Sequence, residues 1–225
     1  MPYGEKTKEQ LIEYSNNAFK FFEKKRVKAV IMACNTTSAT VYEELKDKYN
    51  FKLYPLIQSV SKIFANMPVK KLGVFATPAT INTHAYSKWI NSYNPSVEII
   101  EIACPQWVKI VENNEVNTEF ALNSVKSKMD EMLKYNPDKI ILGCTHYPYL
   151  TEQLSKFAPK EIFINPAKAY AEYIKTDLNS LNMINTSNLK GTDKFYVSAA
   201  PENFVTAGKR FYNVNKAIEV NVNIL

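Results

Sequence analysis

Glycine and histidine are scarce in this chain of 225 residues, which contains five glycines and two histidines. The chain has no Gly-x-Gly-x-x-Gly motif and no phosphate-binding loop, which weighs against a dinucleotide or nucleoside triphosphate site. Zinc is usually held by three or four protein ligands, and Cys144-x-His146 has no second ligand pair beside it. We therefore expect neither a nucleotide site nor a metal site.

Long apolar runs are also absent. No run approaches the roughly 20 residues that are needed to cross a bilayer, and the first segment of the chain has no apolar core like that of a signal peptide. We therefore expect a cytoplasmic protein with no membrane partner. The three cysteines are too few for a disulfide framework, and in a reducing compartment they should be free thiols.

The formal net charge of +6 comes from basic and acidic residues that are interspersed along the chain, as in residues 5–9 and 126–131. Such a mixture is typical of solvated helix faces. No groove motif of aromatic and basic residues accompanies the charge. We therefore do not expect nucleic acid as a primary partner.

Predicted strands and helices alternate along the chain. Thr7 and Gln10 have capping-box spacing, and the apolar residues after them predict a helix over 7–25. Short apolar runs predict strands at 27–33, 71–76, 97–103 and 138–143, with further helices at about 80–93 and 117–135. This alternation predicts an α/β fold with mainly parallel sheets flanked by helices.

Two segments of the chain share one plan. Residues 29–36 (AVIMACNT) and 139–146 (KIILGCTH) each contain an apolar strand, a small residue, a cysteine and polar residues that open a helix. We interpret them as an internal duplication. Two strand–helix units precede the second cysteine, whereas only a helix precedes the first. If the halves are equivalent, the first half lacks its opening strand and a second one.

Cys34 and Cys144 are the predicted centre of the chemistry. Substrates of open α/β sheets bind beyond the carboxyl ends of the strands, and a helix N-terminus there lowers the pKa of a thiol. Racemisation of an amino acid needs two acid/base groups on opposite faces of one carbon, which a pair of thiols provides. A single cysteine after a strand is commonly only a small buried hydrophobe, but the matching pair favours the catalytic interpretation.

The two histidines and the third cysteine have different expected roles. His146 is a candidate to orient or polarise the Cys144 thiol or a substrate group. A Cys-His hydrolase stays open, although a separation of two residues does not by itself create a hydrogen bond between nucleophile and base. We interpret His84 as a surface or packing residue and Cys104 as structural.

The motifs around the two cysteines resemble those of bacterial glutamate racemases, in the same order and with a similar spacing. The resemblance covers almost the whole chain, and its most specific element is Gly-Cys-Thr-His-Tyr-Pro; aspartate and hydantoin racemases share the cysteine pair but usually differ beside the second cysteine. The matching segments are 2–6 (PYGEK), 33–36 (ACNT), 76–81 (ATPATI), 103–105 (ACP), 111–112 (VE) and 143–148 (GCTHYP).

The resemblance implies that Cys34 and Cys144 are the catalytic acid/base pair and that Glu112 and His146 assist near Cys144. It also implies a set of residues that bind the substrate glutamate, namely Tyr3, Gly4, Asn35, Thr36, Thr77, Thr80, Thr145 and His146. Simpler interpretations stay open for some of them. Thr77 and Thr80 are also candidate helix N-caps, Glu112 a residue of a helix surface and Tyr3 a frayed terminal aromatic.

The fold implied by the resemblance has two pseudo-symmetric α/β domains with the active site in the cleft between them. We expect residues 1–57 and 168–225 to form the first domain, completed by a strand near 194–198 and the helix after it, and residues 58–167 to form the second. The implied function is interconversion of L- and D-glutamate without metal, pyridoxal phosphate or nucleotide, which supplies D-glutamate for peptidoglycan. We also expect a homodimer.

The sequence departs from this family at two places. The family begins with a strand and an Asp-Ser-Gly-rich loop upstream of Pro-Tyr-Gly, whose aspartate and serine would assist Cys34 and hold substrate. Here Tyr3 follows Met1 and Pro2, and Asn165 stands where the family usually has aspartate. We therefore expect a weak or inactive racemase unless a neighbouring subunit supplies the missing edge. The alternative is a truncated, non-catalytic remnant that binds glutamate or regulates.

Overall fold

The structure is a computed structural model that describes residues 3–187, 189 and 191–221. Pro2, the first residue of the predicted PYGEK motif, lies outside these residues. Strands and helices alternate, as the sequence predicts. The strands are β1 (Ala29–Met32), β2 (Lys52–Pro55), β3 (Lys71–Ala76), β4 (Glu98–Ala103), β5 (Lys139–Gly143), β6 (Phe163–Ile164), β7 (Phe195–Val197) and β8 (Ala217–Glu219).

Helices connect these strands and cover the sheets. They are α1 (Lys8–Lys24), α2 (Asn35–Thr40), α3 (Tyr42–Leu45), α4 (Leu56–Ala65), α5 (Pro78–Ile81), α6 (Ala85–Tyr93), α7 (Trp107–Glu112), α8 (Glu119–Leu133), α9 (Thr151–Leu154), α10 (Ala167–Ser180) and α11 (Pro201–Gly208), with 3₁₀ turns at Tyr3–Glu5, Tyr147–Leu150 and Lys160–Ile162. Within the described ranges, none of the helices combines the length and the hydropathy that a bilayer crossing requires.

The strands form three sheets, and all the described strand pairs are parallel. The largest has the order β4-β3-β5-β6, and two smaller sheets consist of β1-β2 and β7-β8. The prediction of an α/β fold with parallel sheets flanked by helices is confirmed. The predicted strand near 194–198 is β7, whose Tyr196 ring lies 5.0 Å from the Phe21 ring of α1.

The central strand β3 shows why the largest sheet is buried on both faces. Leu72, Val74 and Ala76 point towards the side chains of α4, α6 and α10, whereas Phe75 points towards α7 and α8. Alternate side chains of a strand lie on opposite faces, so an almost continuously apolar strand is buried on both. A separate apolar cluster joins α1, β1, β2 and α3.

Local sequence patterns predict the start of α1 correctly but not the helices around α5. Thr7 and Gln10 form the predicted capping box, and α1 begins at Lys8. The helix predicted at about 80–93 is wrong as one element, because His84 adopts a left-handed conformation with φ 51° and separates α5 from α6. The hydroxyl of Thr83 accepts a hydrogen bond from the Ala85 N–H at this break.

The two cysteine-bearing strands have different neighbours. β5 pairs with β3 on one side and β6 on the other, whereas β1 pairs with β2 alone among the described residues. In agreement, Ile31 in β1 is 51% exposed, and its counterpart Ile141 in β5 is fully buried. The predicted division into domains at residues 57 and 58 stays a prediction, and α4 runs through that position.

Candidate active site

Three strand ends converge on the candidate site. Cys34 lies two residues after β1, Thr77 directly follows β3, and Cys144 directly follows β5. Cys34 and Thr77 are the N-cap residues of α2 and α5. β3 and β5 lie in the same sheet, so their carboxyl ends form one edge of it. The end of β1, which belongs to a separate sheet, is joined to this edge by the hydrogen bond between Thr36 in α2 and Thr77.

Cys144 is nearly enclosed, with 8% of its surface exposed. The pKa of its thiol is raised to about 12, mainly by burial, with a smaller contribution from negative charge on Cys34 and Glu112. Hydrogen bonds from the backbone of His146 and from Thr145 act in the opposite direction. The expectation that a helix N-terminus lowers the pKa of this thiol is therefore wrong, because the cost of burying a thiolate outweighs those hydrogen bonds.

His146 and Glu112 extend a polar chain away from Cys144. The Cys144 Sγ lies 3.7 Å from His146 Nδ1, and His146 Nε2 lies 3.3 Å from Glu112 Oε1. When the carboxylate accepts a hydrogen bond from Nε2–H, the neutral ring has Nδ1 free to accept one from the thiol. Glu112 is the last residue of α7, so this helix end places it beside the second cysteine.

Three buried threonines form a closed triangle of hydroxyl groups. The Oγ1 atoms of Thr36 and Thr77 are 2.9 Å apart, those of Thr77 and Thr80 are 3.0 Å apart, and those of Thr36 and Thr80 are 3.3 Å apart. Thr77 also caps α5 by accepting a hydrogen bond from the Thr80 N–H, so the N-cap interpretation holds for Thr77. Its hydroxyl serves both the cap and the triangle.

Gly4 lies against the same triangle, and Tyr3 precedes it. A Cβ atom on Gly4 would be 2.7 Å from the Thr77 Cβ, so this close approach requires glycine. Burial raises the pKa of Tyr3, and negative charge on Cys34 raises it as well. Tyr3 is 41% exposed, and its ring lies 6.4 Å from the Tyr14 ring of α1. Glu5 is held by an ion pair of 2.8 Å with Lys109.

Asn35 has a partner that the sequence did not indicate. The hydroxyl of Tyr86 donates a hydrogen bond of 2.7 Å to Asn35 Oδ1. The Asn35 Nδ2 is buried and has no hydrogen-bond partner among the described residues. The sequence gives no sign of this role, because Tyr86 lies inside α6 at an apolar position, where a tyrosine is expected only to pack in the core.

The side-chain hydrogen bonds of His84, Cys104 and Asn165 go to residues outside this arrangement. His84 is on the surface, where its Nδ1 lies 2.8 Å from Glu101 Oε2. Cys104 is buried, and burial raises the pKa of its thiol well above the ordinary value. Asn165 Oδ1 accepts a hydrogen bond from the Ala167 N–H at the start of α10.

The gathered groups are thiols, hydroxyls, amides and one imidazole–carboxylate pair. Across the described ranges, no three histidine, cysteine, aspartate or glutamate side chains lie together in a way that could hold a metal ion. Two acid/base thiols beside uncharged hydrogen-bond donors suit proton transfer at a carbon atom next to a carboxylate.

Comparisons with known proteins identify close relatives of this arrangement. Residues 4–174 match the family model described as Asp/Glu/Hydantoin racemase. The glutamate racemase of Carboxydothermus hydrogenoformans is 32% identical over 100% of this chain and 84% of its own. That of Trichodesmium erythraeum is 31% identical over 98% of this chain and 81% of its own.

A solved structure shares the fold over the full length of the chain. The glutamate racemase of Francisella tularensis, crystallised in complex with D-glutamate, superposes with a TM-score of 0.88 and is 28% identical in sequence. The match covers 100% of this chain and 85% of that one. The predicted α/β architecture thus has a direct counterpart in a solved structure.

Proposed function

Since the chain belongs to the Asp/Glu/hydantoin racemase family, we propose that it interconverts L- and D-glutamate with Cys34 and Cys144 as the two acid/base groups. The observation that supports this most is the pair of thiols at the ends of β1 and β5, close enough for charge on Cys34 to raise the pKa of Cys144. The reaction needs no metal, pyridoxal phosphate or nucleotide in this scheme.

The two thiols exchange one proton each with the α-carbon. In one direction the Cys34 thiolate takes the α-proton, and the Cys144 thiol gives its own proton to the opposite face. The electron pair of the broken C–H bond is held by the adjacent carboxylate until the new bond forms. Because burial raises the pKa of Cys144 to about 12, this residue holds its proton in the resting state.

The opposite direction needs Cys144 as the base. Here His146 Nδ1 accepts the thiol proton across the 3.7 Å contact, while Glu112 holds Nε2–H in place. The thiolate then takes the α-proton and Cys34 returns one to the other face. Burial opposes ionisation of the Cys144 thiol. By accepting its proton, the His146 imidazole allows the thiolate to form near neutral pH.

Uncharged groups bind the substrate in this proposal. Glutamate has two carboxylates and one ammonium group, which require donors and acceptors on different sides. The Asn35 Nδ2 and the backbone N–H groups that open α2 and α5 offer donors. The set also includes Tyr3, Gly4, Thr36, Thr77, Thr80, Thr145 and His146.

We extend the proposal to the setting of the enzyme. We propose that it supplies D-glutamate for peptidoglycan in the cytoplasm, that it acts as a homodimer, and that residues 1–57 with 168–225 and residues 58–167 form its two domains. The substrate would then lie in the cleft between these domains.

A second candidate is a protein that binds glutamate without turning it over. The observation that favours it is the single partner of β1 among the described residues, together with the exposure of Ile31. A strand with one partner restrains Cys34 less than two partners restrain Cys144. Loss of about 1 Å of alignment at a reacting atom is enough to lower a rate by about 100-fold.

The decisive experiment follows the α-proton of D-glutamate in D₂O. We expect loss of optical activity together with deuterium at the α-carbon, both abolished in Cys34→Ser and in Cys144→Ser. Cys104→Ser is the matched control, because burial raises the pKa of that thiol well above its ordinary value and keeps it protonated, and it should keep its activity. Glutamate binding without exchange would favour the second candidate. Hydrolysis of an activated ester that survives Cys34→Ser would instead indicate a Cys-His hydrolase and would contradict the racemase.

A further inference from the structure

One buried side chain touches the neighbours of both cysteines. Tyr86, in α6, is fully buried. Its hydroxyl donates to Asn35, the residue after Cys34, and its ring lies against Gly143, the residue before Cys144. A Cβ atom at position 143 would be 3.0 Å from Tyr86 Cε2, which leaves no room between ring and strand.

The hydrogen bond from Tyr86 occupies the carbonyl oxygen of the Asn35 side-chain amide. The carbonyl oxygen of this amide accepts from the phenol, so the NH₂ group lies on the other side of the planar amide. This NH₂ group is buried and has no partner among the described residues. A buried donor without an acceptor is unfavourable, so the position suits a ligand that provides one.

The phenol keeps its proton near neutral pH. Burial raises the pKa of Tyr86 far above its ordinary value, and negative charge on Cys144 and Glu101 raises it further. If the amide rotated by 180°, its NH₂ group would donate to the phenol oxygen, and the Tyr86 O–H would have no acceptor among the described residues. The observed orientation satisfies the phenol and leaves Nδ2 directed towards the site. An oxygen there would repel a carboxylate instead of binding it.

We propose that Tyr86 is a positioning residue, which holds the Asn35 amide so that Nδ2 donates a hydrogen bond to a carboxylate of the substrate. The inference rests on the proposed function, since it takes that carboxylate to be one of glutamate's two. Tyr86 acts through Asn35 and does not itself touch the substrate. Through its contact with Gly143, Tyr86 also fixes the position of Asn35 Nδ2 relative to β5, the strand that precedes Cys144.

Steady-state kinetics of Tyr86→Phe test this role. The variant keeps the ring and removes only the hydroxyl. We expect KM for glutamate to rise about fivefold to tenfold and kcat to change less than about twofold, because the bond to the carboxylate is similar in ground and transition states. Tyr170→Phe is the matched control: it also removes a buried hydroxyl, whose hydrogen bond of 2.6 Å goes to the Tyr54 carbonyl, and it should leave KM unchanged.

The double variant separates positioning from packing. If Tyr86 acts through Asn35, then Tyr86→Phe should raise KM no further in an Asn35→Ala background. Fully additive effects of the two substitutions would overturn the proposal. So would a Tyr86→Phe variant with the KM of the wild type.

An NMR measurement makes the inference independent of turnover. The side-chain amide signal of Asn35, assigned by its loss in Asn35→Ala, should shift in Tyr86→Phe and not in Tyr170→Phe. D-Glutamate should shift it in the wild type. If the wild type neither binds nor racemises glutamate, the proposed function fails, and the response of this signal to Tyr86→Phe still decides the positioning role. An unchanged signal in Tyr86→Phe overturns it.

Discussion

The two strands that end at a cysteine have the same local plan and different surroundings. β5 lies between β3 and β6, and its Cys144 is buried, whereas β1 has one partner among the described residues and its Cys34 is partly exposed. Both cysteines precede the first turn of a helix or 3₁₀ helix. The difference teaches that the protonation state of a thiol at a strand end depends on how the strand is packed as well as on the helix that follows.

The largest expected contrast is between Ile141→Ala and Ile31→Ala, which are counterparts in the duplicated segments. Ile141 is fully buried at the centre of the large sheet, and Ile31 is half-exposed. We expect Ile141→Ala to cost about 4 kcal/mol of unfolding free energy and Ile31→Ala about 1 kcal/mol or less. Urea denaturation measures both. Equal costs would mean that β1 is as well covered in solution as β5.

The pH dependence of stability should distinguish the two cysteines next. Burial raises the pKa of Cys144 from 9.0 to about 12 in the folded chain. Its contribution to stability is therefore complete below the unfolded value and is lost as the pH rises from there towards the folded value, since only the unfolded thiol ionises.

Between about pH 9 and pH 11, this group alone should lower the unfolding free energy by about 2–3 kcal/mol, at about 1.4 kcal/mol per pH unit. We expect Cys144→Ser to lose this slope and Cys34→Ser to keep it. Denaturant titrations at a series of pH values measure the difference. Identical slopes in the two variants would show that the Cys144 thiol ionises normally in the fold.

A smaller contrast concerns the residue before each cysteine. A Cβ atom on Gly143 would be 2.9 Å from the Phe75 carbonyl oxygen, whereas Ala33 is exposed. We expect Gly143→Ala to cost about 2 kcal/mol through overpacking, and Ala33→Gly about 0.5–1 kcal/mol through backbone entropy. Thermal denaturation compares the two. A neutral Gly143→Ala would mean that Tyr86 and Phe75 yield easily, which would also weaken the case for Tyr86 as a fixed positioning group.

The smallest expected effect concerns Glu112, which lies beside His146. We expect Glu112→Gln to lower kcat/KM by about tenfold, or about 1.4 kcal/mol, because the hydrogen bond to His146 Nε2 loses its charge. The decrease must be equal for L- and D-glutamate, since the two enantiomers have the same free energy. Glu119→Gln, an exposed residue at the start of α8, is the control. A variant with unchanged kcat/KM would remove Glu112 and its histidine contact from the mechanism.

Local patterns were sufficient to predict much of this fold. Apolar runs of β-branched residues located β1, β3, β4 and β5, and the capping residues located the start of α1. These features depend on neighbours in sequence. The duplication also pointed to a first strand with fewer partners than the second, which agrees with the single pairing of β1.

The rest depended on packing between distant segments. The left-handed conformation of His84 breaks a helix that the periodicity predicts as continuous. Tyr86 reaches Asn35 because α6 and α2 both pack against α4, and no sequence motif marks that approach. The shift in the pKa of Cys144 was predicted in the wrong direction for the same reason. The main cause of the observed increase is burial by residues from several elements.

The triangle of Thr36, Thr77 and Thr80 has an inherent reversibility. Each of the three hydroxyls has one proton to donate. The three hydrogen bonds can therefore run clockwise or anticlockwise around the triangle, and the oxygen atoms occupy the same positions in both arrangements. Rotating a hydroxyl takes picoseconds to nanoseconds, far less than moving a strand or helix. In either sense each hydroxyl donates within the ring, so the closed triangle offers only lone pairs to a neighbouring group. Opening one of the three hydrogen bonds by rotating a hydroxyl turns a donor outward, and the oxygen atoms keep their positions.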